Sequence, residues 1–177
     1  LSQCNVERVK ISHQDKSSVS SGDISIDAFV YRPRVLPPIE DQVFIITAYY
    51  GGGNKFSDYH QVFCGLGITT LSPAVRGDWR YGTEFANSND QEKADAPIRD
   101  GLATARYLVD RFDIPDTQQI GTTGYSHGGW AAVRALSYPG PEKMELGFAI
   151  AGGGFYDLPA VVDPGKNDQT NIHGWFD

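Results

Sequence analysis

Apolar and polar positions along the chain change their period several times. Val6, Val9 and Ile11 are set among polar residues from Val6 to Ser12, which predicts a strand. Asp15 to Gly22 is polar and carries four serines, the composition of a hairpin loop. Ile24-Ser25-Ile26-Asp27-Ala28-Phe29-Val30-Tyr31 alternates with period 2 and predicts a second, half-exposed strand, broken by Arg32-Pro33 through Pro37-Pro38. Val43 to Tyr49 is a continuous β-branched and aromatic run, which suits a strand buried on both faces of a parallel sheet. Phe56, Tyr59, Phe63 and Leu66 then recur at helical spacing, and Gly65 and Gly67 can end that helix.

The same alternation continues towards the C-terminus. Ile68 to Ser72 is a short strand, followed by a long loop from Pro73 to Gly82. Ile98, Leu102, Ala105, Val109 and Phe112 share one helical face, with Pro97 at the start, where a missing N–H costs little. Gln119 to Tyr125 is a strand, Trp130 to Leu136 a helix of small residues, and Leu146 to Ala151 a further buried strand. Phe155 to Asp177 is polar, a loop or the start of a cap or insertion. Two strands followed by strand–helix repeats predict an α/β domain with a mostly parallel sheet covered by helices. Residues 1–177 read as one such domain.

Ligand sites in sheets of this kind gather at the carboxyl ends of the strands. Three unusual loops fall there: Tyr50 to Asn54, Arg76 to Gly82, and Gly124 to Gly128. The last contains Gly124-x-Ser126-x-Gly128, the pattern of a nucleophile elbow. A serine at a tight strand-to-helix turn has strained backbone angles, and side chains two positions to either side would collide. Glycines there leave the Ser126 hydroxyl clear, with the His127 amide at a helix N-terminus aimed at a developing oxyanion.

From Val43 to Ala151 the chain resembles the α/β-hydrolases, and among them the prolyl oligopeptidase family of serine peptidases. Tyr49-Tyr50-Gly51-Gly52-Gly53-Asn54, Arg76-Gly77-x-x-x-Tyr81-Gly82-x-x-Phe85, the helix from Asp100 to Arg111, and Gly124-Tyr125-Ser126-His127-Gly128-Gly129 carry the resemblance. It implies a three-layer α/β-hydrolase sandwich, with Ser126 as nucleophile. It also implies an oxyanion hole formed by the His127 amide with the Tyr50 hydroxyl or an amide of the Tyr50-Gly51 loop. Serine needs a base, because a free hydroxyl is a weak nucleophile near pH 7. In this fold the order is serine, acid, histidine, and the resemblance places both partners after strands that would follow Ala151. The expectation is therefore a sheet truncated after its sixth strand, with the triad acid and histidine on a companion chain or a missing C-terminal segment.

The remaining candidates are weighed residue by residue. Asp157 reads either as a triad acid on the loop after the sixth strand or as a turn or capping residue before Leu158-Pro159, the latter preferred. His173 reads as a loop histidine, because too few residues separate it from Ile150 for two further strands. His60 is expected on the helix surface or behind the site, and His13 in the first hairpin. Arg76 is expected to pin its loop through Asp78 or a backbone carbonyl. Trp79, Tyr81 and Tyr125 are candidates for the substrate pocket or, equally, for the core.

Composition narrows the function classes. Of 177 residues, 15 are Lys or Arg and 22 are Asp or Glu, so the net charge of −7 and the lack of a basic stripe exclude nucleic acid as a partner. No apolar run reaches the ~18 residues of a membrane span. Two cysteines make no disulfide framework; Cys64 reads as a core residue and Cys4 as part of a frayed terminus. Leu1-Ser2-Gln3-Cys4 resembles the end of a bacterial lipoprotein signal only in part, since Gln3 is the wrong size before the cysteine and no apolar stretch precedes it; the compartment stays open, with a slight lean to secreted or periplasmic. No metal or organic cofactor is implied. The leading expectation is a serine hydrolase acting on a small ester or a peptide; the alternative is a non-catalytic, hydrolase-like binding module.

Overall fold

A computed structural model describes residues 2–17, 22–48, 56–89, 93–141 and 143–156. The strands are β1 (Cys4–Asp15), β2 (Gly22–Pro33), β3 (Phe44–Thr47), β4 (Thr69–Pro73), β5 (Ile120–Tyr125) and β6 (Phe148–Gly152). The α-helices are α1 (Asp58–Gly65), α2 (Thr83–Asn87), α3 (Ala96–Phe112) and α4 (His127–Leu136). The six strands form one sheet in the order β1-β2-β4-β3-β5-β6. β1, β2 and β4 pair antiparallel, and β4, β3, β5 and β6 pair parallel. The uniformly apolar run that predicted a doubly buried strand lies in β3, where Phe44, Ile45 and Ile46 are buried between β4 and β5.

Alternation along β2 defines the layers, because successive side chains of a strand face opposite sides. Val30 joins Ile98, Leu102, Leu108, Trp130 and Ala131 in the main core, so α3 and α4 cover one face. Its neighbours Phe29 and Tyr31 pack instead with Cys4 and Cys64, so α1 covers the other. The result is the three-layer α/β-hydrolase sandwich, with a mixed sheet at its centre.

Two expectations are corrected on the α1 side. Cys4 is not in a frayed end: it begins β1, is buried, and forms a disulfide with Cys64, with a Cα–Cα distance of 5.5 Å. The bond spans 60 positions, and a loop of that length corresponds to about 4 kcal/mol of lost unfolded-state entropy. The buried side of α1 also differs from the apolar periodicity. Phe56 before the helix and Leu66 after it are exposed, whereas His60 and Cys64 are buried. The disulfide and the stacking of His60 on Tyr31, with centroids 3.8 Å apart, hold this face inward.

Arg76 begins the long loop after β4 and lies in a buried ion cluster rather than pairing with Asp78. Its amide donates to Asp100 Oδ2 at 2.7 Å, its Nε to Asp100 Oδ1 at 3.0 Å, and its Nη2 to the Ala96 carbonyl at 3.1 Å. Its Nη1 pairs with Asp15, which also accepts from Arg99 Nη2 at 3.2 Å. His13 Nε2 lies 3.0 Å from Asp100 Oδ1. The cluster joins β1, the loop after β4 and the start of α3.

Burial pushes the Asp15 carboxyl up, but the Ser17 amide and the Arg99 and Arg76 guanidinium groups outweigh it and hold the pKa at about 2. A depressed carboxyl contributes stability that is complete above its unfolded value and lost as pH falls through its folded one. Arg76→Leu leaves two buried carboxylates short of a partner and is expected to cost about 3–5 kcal/mol at pH 7. That difference should shrink as pH falls from about 4 towards 2, where Asp15 takes up its proton. Urea unfolding of both proteins across that range checks the magnitude and the pH dependence.

Candidate active site

The carboxyl ends of the parallel strands meet in a cavity of about 690 Å³. Thr47 enters it from β3, Ser72 from β4, Thr123 to Ser126 from β5 and the following turn, and Ile150 to Gly152 from β6. Tyr59 and His60 close it from α1, and Arg80 from the loop after β4.

Ser126 occupies the turn between β5 and α4 with φ 57° and ψ −123°. A positive φ is costly for a residue with a Cβ and persists only where the surroundings impose it. Three backbone bonds do so here. Ser126 N donates to Gly152 O at 2.9 Å, and Ser126 O accepts from Gly129 N at 2.9 Å and Trp130 N at 3.1 Å. Gly124 and Gly129 are required by contact. A Cβ on Gly124 would lie 2.2 Å from Gly128 O, and one on Gly129 would lie 2.6 Å from Gly152 O. The turn is thus locked between β6 and its own helix.

His127 is the first residue of α4, so its amide belongs to the positive end of a ten-residue helix. Its ring is buried and stacks on Trp130 with centroids 5.4 Å apart, and burial lowers its pKa to about 4. Tyr125 lines the cavity and is exposed. Trp79 and Tyr81 flank Arg80 in a short 3-10 turn and are not among the described lining residues. Tyr50, Gly51, Asp157 and His173 lie outside the described residues.

His60, expected on the helix surface or behind the site, is buried and forms part of the cavity wall. Its Nδ1 is 2.8 Å from Thr70 Oγ1, and burial lowers its pKa to about 4, so the ring is neutral near pH 7. Burial raises the pKa of the Tyr59 hydroxyl, opposed by a hydrogen bond with the Thr123 side chain. Arg80 also carried no expectation. Its amide and its Nε both donate to Asp78 Oδ1, at 3.0 and 2.9 Å, and its Nη2 lies 2.6 Å from Asp78 Oδ2. Asp78 after the Arg-Gly pair was the available signal, as a capping residue two positions before a basic one.

The prolyl oligopeptidase family model matches residues 54–163, more than half of the chain and the whole run from α1 through the elbow to β6. The chain belongs to the prolyl oligopeptidase family. Human dipeptidyl peptidase 8 is 23% identical over 126 residues, covering 66% of this chain and 14% of the human protein. Among solved structures, prolyl oligopeptidase B from Galerina marginata aligns with a TM-score of 0.66 at 19% identity, over 92% of this chain and 23% of that one. The acylaminoacyl peptidase of Pyrococcus horikoshii aligns with a TM-score of 0.69 at 17% identity, over 88% and 24%. At these identities the structural likeness shows the fold. The chain spans about a seventh to a quarter of the length of these relatives.

The elbow makes a direct prediction for this family member. Gly124→Ala forces a Cβ against the Gly128 backbone, which has no flexible end to move aside. It is expected to destabilise the protein by at least the ~1–3 kcal/mol typical of overpacking. Thermal unfolding beside a Gly101→Ala control, where an added Cβ meets nothing within 4 Å, checks this.

Proposed function

We propose that the protein is a serine hydrolase that cleaves peptide or ester bonds through an acyl-Ser126 intermediate. The observation that carries this reading is Ser126 itself, held at positive φ between two glycines, at a helix N-terminus and on the wall of a large cavity. Such a turn is a costly way to place a serine that does no chemistry. Membership of a peptidase family favours peptide bonds, and small esters follow because acyl transfer to water is common to both.

In this reading the Ser126 hydroxyl attacks the substrate carbonyl, and the His127 amide stabilises the oxyanion together with the Tyr50 hydroxyl or an amide of the Tyr50-Gly51 loop. A base takes the serine proton and returns it to the leaving group. Among the described residues lining the cavity there is no carboxylate, and the histidine there, His60, is held by Thr70. The triad acid and histidine are therefore assigned to residues outside the described part, on a companion chain or a C-terminal segment, with Asp157 a candidate acid. Tyr125 borders the substrate.

A fluorophosphonate probe applied to the whole native protein tests the nucleophile. Labelling is expected in the wild type and its loss, by at least ~100-fold in rate, in Ser126→Ala. Labelling that survives Ser126→Ala removes Ser126 from this role. A properly folded wild type that takes no label favours the binding module.

A further inference from the structure

His60 is only 8% exposed, yet it belongs to the wall of the cavity beside Ser126. Its ring is held in plane. Tyr31 stacks on it with centroids 3.8 Å apart, and Tyr59 meets it edge-on at 5.4 Å. One helical turn further along the same face of α1, Cys64 is bonded to Cys4, which ties the helix to β1.

The two ring nitrogens have different surroundings. Nδ1 is 2.8 Å from Thr70 Oγ1. Nε2 meets no hydrogen-bond partner among the described residues and is not sealed from solvent, so it opens on the cavity that the ring lines. The hydrogen bonds fix the tautomer. Thr70 is fully buried, and its hydroxyl has no other partner among the described residues. A proton on Nδ1 would make that hydroxyl an acceptor and leave its own hydrogen unmet in the core, which is costly. With the proton on Nε2, the Thr70 hydroxyl donates to Nδ1 and no buried donor is left over. Burial lowers the His60 pKa to about 4, so near pH 7 the ring presents Nε2–H to the cavity as an oriented, uncharged donor. In a chain of net charge −7, such a donor suits a neutral oxygen rather than an anion. An amide carbonyl is the neutral acceptor that a peptide carries beside its scissile bond and a plain ester lacks.

We propose that His60 is a specificity-determining residue whose Nε2–H binds an amide carbonyl of the substrate near the scissile bond, favouring peptide-like substrates over plain esters. A site built around a hydrogen-bond donor rejects the analogue that leaves the donor unpaired. The proposal rests on the hydrolase reading for its meaning, but the tautomer and the carbonyl contact can be measured without turnover.

Long-range proton–nitrogen correlation NMR of the whole protein reads the His60 tautomer. A protonated Nε2 and a bare Nδ1 are expected; the reverse overturns the proposal. N-acetylglycinamide and its isostere pentanamide, in which two methylenes replace the inner amide, are then titrated in. N-acetylglycinamide is expected to bind at least about fivefold more tightly and to shift the His60 Nε2 signal. Equal binding, or a preference that persists in His60→Phe/Thr70→Val, overturns the proposal. That double variant keeps a ring against Tyr31 and removes both polar partners together, so no buried hydroxyl is left unpaired. Thermal unfolding checks its fold, and the wild-type spectra decide if it does not fold. Hydrolysis reads the same preference. The nitrophenyl ester of N-acetylglycine against nitrophenyl pentanoate reads the acyl side, and the butyrate ester of glycolamide against propyl butyrate the leaving side. A kcat/KM ratio favouring the amide-bearing ester of either pair, reduced at least about fivefold in the double variant, supports the proposal. Hydrolysis of all four with both ratios unchanged overturns it and leaves the hydrolase reading standing. His60-dependent binding of N-acetylglycinamide in a protein that takes no fluorophosphonate label would sink the hydrolase reading while leaving His60 as an amide-binding site.

Discussion

Everything at the site depends on the close approach of backbone at the elbow. Gly124 and Gly128 are near enough that no Cβ fits at position 124, and Gly129 faces the Gly152 carbonyl in the same way. These contacts hold Ser126 at positive φ, and the first turn of α4 closes behind it through bonds to the Ser126 carbonyl. One packing constraint thus links the end of β5, the start of α4 and the end of β6. The serine is exposed to the cavity at a turn this sharp because the glycines let the backbone around it approach so closely.

The second organising interaction is the buried ion cluster. Taking Arg76, Arg99, Asp15 and Asp100 out of water is expensive, and the arrangement is favourable only because each carboxylate meets several donors. What the cluster achieves is placement. It fixes where the loop after β4 leaves the sheet, and that loop carries Arg80, paired with Asp78, to the cavity. On the opposite layer, the Cys4–Cys64 disulfide and the Tyr31–His60 stack hold α1, which supplies Tyr59 and His60. The two walls are fastened by different chemistry, charge on one side and a covalent bond on the other.

Local features were legible in the sequence, and features made by distant partners were not. The β2 alternation, the apolar run of β3 and the helical stripe of α3 each depend on neighbours within a few positions, and the structure places all three elements there. The elbow was legible for the same reason, since its glycines answer a clash within one turn. Arg76 does pin its loop and does reach a backbone carbonyl, that of Ala96, but its carboxylate partners Asp100 and Asp15 were missed because Asp15 lies 61 positions away, beyond any local pattern. Cys4 and Cys64 were read separately because only the packing of α1 on β2 brings them together. His60 was left between the helix surface and a place behind the site because the apolar stripe of α1 points elsewhere; it is buried beside the disulfide and stacked on Tyr31. Arg80 had no signal of its own until the loop was anchored.

The claim that Ser126 carries the acyl group is tested most directly by trapping the intermediate. The whole protein is mixed with an activated ester, quenched in acid during turnover, and examined by intact-mass and peptide mass spectrometry. The account predicts a mass increase of one acyl group, confined to the peptide that contains Gly124 to Gly129 and located on Ser126. An acyl group found on any other residue, formed at the rate of turnover, would contradict it.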